Sequence, residues 1–252
     1  MSVLRGRMTD EPNKKLTHVA RIAPSPMSGL NILIACEFTG TTRRAFEKKG
    51  HNAYSCDLVE TEDFNLEGKH LIGDARKFVS KDWMNSKHGI KWDLLIAHPP
   101  CTYLTVTANK WLKDQPPRKS GALVGAERRA AVNEAALLFM HFAAAEIEKI
   151  CIENPVGVMS SLWRKPDQII TPCQFGHKEP KKTCLWLKGL EPLTHTKLVE
   201  PEYYTTKSGK RLAKWYYKDA TKGTAEERQK IRNRTFSGIA EAMAHQWGSF
   251  LT

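Results

Sequence analysis

Trp92-Asp-Leu-Leu-Ile-Ala97, running directly into His98-Pro-Pro-Cys-Thr-Tyr103, decides how the chain is read. The first six residues are nearly continuously apolar, as strands buried on both faces of a parallel sheet tend to be, and the prolines end the ladder because they carry no N–H. Upstream, Asn31-Ile-Leu-Ile-Ala-Cys36 is a second apolar run, followed by Glu37-Phe-Thr-Gly40 and a helical segment over Arg43 to Lys49: strand, glycine turn, helix. Asn52-Ala-Tyr-Ser-Cys56 reads as a strand ending at Asp57, and Leu71-Ile-Gly-Asp74 as a short one ending at Asp74. Downstream, Gly125 to Lys149 is rich in Ala, Leu, Phe and Met, with no Gly or Pro after Gly125. That predicts a long helix returning the chain to a strand at Ile150-Cys-Ile-Glu153. Such a crossover makes strands 92–97 and 150–153 parallel neighbours whose ends share one rim. Lys181 to Leu187 is strand-like, and a terminal helix is expected near Glu226 to Gly248. The fold class is α/β, a doubly wound sheet with flanking helices.

The 252 residues suffice for one core with a small appended lobe rather than two large domains. A composition 41% apolar and 26% charged excludes disorder throughout. No apolar run approaches the ~18 residues of a membrane helix, and the first residues lack the hydrophobic block of a secretory signal, so a cytoplasmic protein without a membrane partner is expected. Six cysteines without a C-x-x-C pair suggest neither a disulfide scaffold nor a compact zinc site, and no metal is expected. The 39 Lys and Arg against 27 Asp and Glu give +12, which favours a polyanionic partner.

Residues 1–28 read as a flexible arm, broken by Pro12, Pro24 and Pro26. The main body comprises 29–189 and 226–252, with a small basic lobe at 190–225. Residues 104–122 form an expected long basic loop carrying Lys110, Lys113, Arg118 and Lys119. Between 197 and 234, 7 Lys and 4 Arg stand against 4 Glu and 1 Asp, interleaved with Tyr203, Tyr204, Trp215, Tyr216 and Tyr217. Phosphate attraction mixed with aromatic contact suits nucleic acid, and Lys210 and Arg211 are its central candidates.

In a doubly wound sheet, ligands collect outside the carboxyl ends of the strands, where Phe38 to Gly40, Asp57, Asp74, Pro100 with Cys101, and Glu153 all fall. Gly40 permits close backbone approach, Asp57 could accept ribose hydroxyls, and Asp74 could bond an adenine amino group, so an adenosine-containing cofactor is inferred. The turn lacks both G-x-G-x-x-G and the G-x-x-x-x-G-K-[ST] phosphate loop, so neither a dinucleotide nor a nucleoside triphosphate is specifically supported.

Pro99-Pro-Cys101 after one buried strand, Glu153-Asn-Pro155 after the next, and Glu37-Phe-Thr-Gly40 at the first turn resemble the DNA (cytosine-5)-methyltransferases, in a short phage- or bacterial-type form. Asn233-Arg-Thr-Phe-Ser-Gly resembles the family's C-terminal segment. The resemblance implies a Rossmann-like methyltransferase sheet with a small basic recognition lobe. It implies S-adenosyl-L-methionine bound by Glu37, Phe38, Thr39, Gly40, Asp57, Asp74 and Pro100, with Cys101 as nucleophile and Glu153 as its partner against a flipped cytosine of double-stranded DNA. Tyr103 and Asn154 would then meet the base, and the loop cations the backbone phosphates. The family's Gln-x-Arg-x-Arg run is missing, and Lys182 is expected to stand in for its arginine. Only 45 residues separate Leu187 from Asn233, which leaves little protein for reading a long target. Three alternatives remain open: methylation of an adenine N6 or cytosine N4 amino group, cytosine modification in RNA or a nucleotide, and a catalytically silent nucleic-acid-binding relative. Each residue also has a structural reading, Cys101 as a buried thiol, Asp57 and Asp74 as loop acids, Phe38 as core.

Overall fold

The computed structural model describes residues 29–64, 69–215 and 223–249. The expected N-terminal arm, Tyr216 and Tyr217 lie outside them. Strands β1 (Asn31–Ala35), β2 (Asn52–Asp57), β3 (His70–Ile72), β4 (Leu94–Ala97), β5 (Lys149–Pro155), β6 (Gln168–Ile170) and β7 (Thr183–Lys188) form one sheet in the order β3-β2-β1-β4-β5-β7-β6. The first five are parallel, whereas β7 runs antiparallel to both neighbours. This is an α/β, Rossmann-like sheet with flanking helices.

Period-two alternation explains why the strands read as continuous apolar runs. In β1, Ile32 and Ile34 enter the layer beneath α1 (Thr41–Glu47) and the last helix, with Phe46, Met243 and Trp247. Leu33 and Ala35 enter the opposite layer, with Phe139, Phe142 and Trp186. Both faces are covered, so neither can be polar.

The helices depart from expectation in two places. Helix α2 (Ala75–Phe78) and α3 (Lys81–Met84) precede α4, which covers Gly125–Ala143 and stops short of Lys149. The turn after it buries Ala145 and Ile147 before β5 begins. After α5 (Met159–Leu162), the expected single terminal helix is two, α6 (Ala225–Asn233) and α7 (Ser237–Gly248). Between them Arg234 and Phe236 are extended, and Phe236 turns into the core layer under α1. A Cβ at Gly238 would strike the Phe175 carbonyl, so the start of α7 can approach that turn only as glycine.

The expected loop at 104–122 is partly ordered. Leu104 is fully buried, Val158 N–H donates to its carbonyl at 2.8 Å, and Val106–Leu112 form a 3-10 helix. A hairpin of β8 (Tyr203–Thr205) and β9 (Arg211–Ala213) occupies the basic lobe, its base joined to the body where Glu202 bonds Lys178 and Lys214 at 2.6 Å each.

Candidate active site

Strand register builds the site. Ala35 pairs with Cys56 on one side and Ala97 on the other, and Ala97 pairs with Ile152. The next residue of each strand therefore falls in one row along the carboxyl edge: Cys36, Asp57, His98, Glu153. A cavity of about 570 Å³ opens there, lined by Phe38, Asp57, His98, Pro100, Cys101, Glu153, Asn154, Lys181 and Arg232 among others. A second of about 680 Å³ holds Asp74, Tyr103, Ala75 and Leu138. Cys36, Asp57 and Pro100 line both, so the two form adjoining parts of one crevice. At their junction Cys36 is held at φ 60, a left-handed conformation that costs a non-glycine residue of order 1 kcal/mol or more.

Cys101 is half-buried in the first cavity. Burial pushes its thiol up, Lys181 and Arg232 pull against that, and Glu153 adds to it. On Glu153, burial likewise favours the neutral form, but the His98 hydrogen bond and charge, with Lys181 and Thr183, outweigh it and leave the carboxyl below the ordinary range. Asn154 donates from Nδ2 to the Pro99 carbonyl at 2.7 Å, tying the end of β5 to the Pro-Pro turn that carries Cys101, while its buried Oδ1 has no partner among the described residues.

Several expected site residues are placed elsewhere. Lys182 is exposed and outside the cavity; Lys181 occupies the place expected for it. Because β7 is antiparallel, its beginning rather than its end lies on the rim, and Lys181 shares a side with Thr183 while Lys182 points away. Glu37 is buried beneath the turn, where Oε1 accepts the Thr42 N–H at 2.6 Å and Oε2 the Arg43 N–H at 3.2 Å. It caps α1 rather than facing the crevice, and each of those donors left unpaired would cost roughly 1–3 kcal/mol. Thr39 is also buried, and Gly40, at φ 66, caps the same helix beside Arg43 and Asp63. Asp74 reaches the second cavity, but it caps α2 and its carboxylate is clasped by Arg76, whose hydrogen bond holds it below the ordinary range.

Asp57 lines both cavities, and burial raises its carboxyl against bonds from Val59 and Leu58. Tyr103 lies beneath Arg128, 5.3 Å from ring centre to guanidinium. The loop cations line neither cavity: Lys110 and Arg118 each lie over the Trp111 ring, at 4.7 and 3.9 Å from its centroid, while Lys113 and Lys119 are exposed. Arg211 stacks on Tyr203 at 4.2 Å, beside the exposed Lys210. His98, Lys181 and Arg232 are additions to the expected set. A histidine against the Pro-Pro pair was the one available sequence signal, whereas Arg232 enters from α6, far along the chain.

No protein-family model matches this chain, and no curated protein matches it. Similar solved structures include a DNA modification methyltransferase encoded within a prophage of E. coli, at 12% identity over 69% of this chain and 52% of that one, TM-score 0.43. Another is the S. pombe Dnmt2 methyltransferase, at 17% identity over 65% and 51%, TM-score 0.39. A third is the Entamoeba histolytica methyltransferase EhMeth, at 14% identity over 70% and 59%, TM-score 0.35. The chain therefore spans between half and three-fifths of the length of each.

Proposed function

We propose that this chain transfers a methyl group from S-adenosylmethionine to carbon 5 of a cytosine flipped out of double-stranded DNA. The observation that carries the reading is Cys101, just beyond β4, and Glu153, near the end of the neighbouring parallel strand β5, lining one cavity, with Asp57 shared between that cavity and the next.

The second cavity fits the cofactor's chemistry. Asp57 offers carboxylate acceptors to ribose hydroxyls, and Ala75, Leu138 and Tyr103 offer apolar and aromatic wall to a purine. The amino end of α1, where a pyrophosphate would seat, is filled by the Glu37 carboxylate, which repels phosphate and tolerates a cation. When bound, S-adenosylmethionine supplies an electrophilic methyl carbon on a positively charged sulfur.

Carbon 5 of cytosine is a weak nucleophile until a thiolate adds at carbon 6, and Cys101 supplies that thiolate. Lys181 and Arg232 favour its ionised form against burial. Glu153 engages ring N3 and the exocyclic amino group, offsetting the charge that develops as sulfur attacks. After methylation a base removes the carbon 5 proton and Cys101 leaves.

Duplex DNA carrying 5-fluorocytosine tests the reading, because fluorine cannot leave as a proton and the adduct is trapped. With S-adenosylmethionine the wild type should form a denaturant-stable complex with DNA, and Cys101→Ala none. Full turnover by Cys101→Ala would instead assign the chain to amino-group methylation.

A further inference from the structure

His98 and Glu153 end neighbouring strands, each one residue beyond the Ala97–Ile152 pair. His98 Nδ1 lies 3.1 Å from Glu153 Oε2, and their side chains retain only 8% and 19% of their exposure. The other imidazole nitrogen, Nε2, is buried and has no hydrogen-bond partner among the described residues. The polar connection of this ring within the protein therefore runs to Glu153. Asn154 donates to the Pro99 carbonyl, and Thr183 adds a side-chain hydrogen bond to Glu153.

This arrangement meets a requirement of the proposed chemistry. Ring N3 must take a proton as sulfur adds, yet the surroundings of Glu153 hold its carboxyl ionised. An ionised carboxylate has no proton of its own to give.

We propose that His98 is the positioning residue and proton reservoir of Glu153: beyond imidazole and carboxylate, the pair holds one additional proton across the Nδ1···Oε2 contact, and that proton reaches the base. The proposal rests on the cytosine reading. As the Cys101 Sγ–C6 bond forms, the C5=C6 electron pair moves to C4–C5 and the C4=N3 pair to N3. The Nδ1 proton passes to Oε2 and on from the Glu153 carboxyl to N3, one proton relayed through the pair. His98 is left neutral and Glu153 ionised. When the carbon 5 proton is lost and the C–S bond breaks, N3 returns its proton to the pair.

Charged and titratable groups facing the pair are Lys181 ahead of β7, Lys230 and Arg232 of α6, Cys101, and Asp57, Glu60 and Glu62 at and beyond the end of β2. Cys36, Cys151 and Cys184 lie nearby with thiols raised by burial, so they stay neutral through the relevant range. Of these titratable groups, His98 is the one with a side-chain nitrogen at hydrogen-bond distance from a Glu153 oxygen.

His98→Asn keeps a side-chain N–H but stores no proton. Its alkaline limb of kcat should move toward acid by about one pH unit or more, the scale on which a bonded partner moves a carboxyl, with KM little changed. An unmoved limb in a variant of normal Tm overturns the proposal. Should the variant fail to fold, NMR of the wild type with 15N-labelled histidine and 13C-labelled glutamate decides. The ring whose signal moves in Glu153→Gln should be an imidazolium at neutral pH, and a neutral ring beside an ionised carboxylate refutes the reservoir. A wild type that makes no 5-methylcytosine sinks the cytosine reading, while the NMR titration still judges the pair.

Discussion

Lys181 and Lys182 are chemically identical and adjacent, and only their placement separates them. Lys181 sits in the Cys101 cavity, with Nζ 3.0 Å from the Arg232 carbonyl, and it opposes the burial that raises the thiol. Lys181→Met should shift alkylation of Cys101 by iodoacetamide, followed at that peptide, to higher pH and lower turnover roughly ten-fold or more, the scale of losing one electrostatic donor. Lys182→Met should leave both within about two-fold, as exposed substitutions do. Equal losses in the two variants would refute the placement. The same pair marks how far side chains were legible. Cys101, Glu153 and Asp57 stood out because each ends an apolar run, the first two beside prolines. Which lysine faces the site depends on β7 being antiparallel, which its own residues do not encode. Glu37 and Asp74 also end strands, but the nearest use for their carboxylates is the bare N–H groups of the helix that follows, and capping took them.

At the scale of elements, the Glu202 carboxylate ties the base of the β8–β9 hairpin to the body, beside the backbone bond from Glu202 N–H to the Lys178 carbonyl and the Trp215–Phe236 ring contact. The Lys178 and Lys214 hydrogen bonds hold the Glu202 carboxyl at about 2, against an ordinary 4.5. A lowered carboxyl contributes stability that is complete above its ordinary value and is lost as pH falls through its folded one. The hairpin's protection from hydrogen exchange should therefore be flat above about 4.5 and weaken from there toward about 2. Glu202→Gln should loosen it across the plateau above about 4.5, with the difference from wild type closing toward about 2; full protection of that variant at neutral pH would show that other contacts hold the lobe. Strands of four or more apolar residues were readable, because burial on both sheet faces leaves no room for polar interruption. Helices α2, α3 and α5 have four residues each, too few to show a 3.6-residue period. The break between α6 and α7 was hidden for a different reason: Phe236 continues a plausible helical pattern, and only its packing into the core requires the chain to unwind.

Across the whole molecule, the +12 charge and the crevice occupy different places. The first cavity has acids of its own, Asp57, Glu60, Glu62 and Glu153, facing Lys181, Lys230 and Arg232, so it is not where the excess accumulates. Lys110, Lys113, Arg118 and Lys119 lie outside both cavities, as do Lys210 and Arg211 on the hairpin. On the DNA reading these groups bind phosphate, and hairpin strands of three residues offer few side chains for base edges. Affinity should then be steep in salt and weak in sequence preference. Each lost phosphate contact lowers the slope of log affinity against log salt by about 0.9, so Lys119→Gln should remove about one such step and Arg118→Gln with Lys119→Gln about two. Arg118 lies 3.9 Å over Trp111, so its guanidinium also orders the 3-10 segment. Arg118→Lys separates those duties: retained charge should preserve the salt slope, while the lost planar stack should raise proteolytic cleavage between 106 and 118. Binding that falls on substitution with an unchanged slope would mean these residues shape the loop without touching phosphate, and would move the polyanion site to the hairpin.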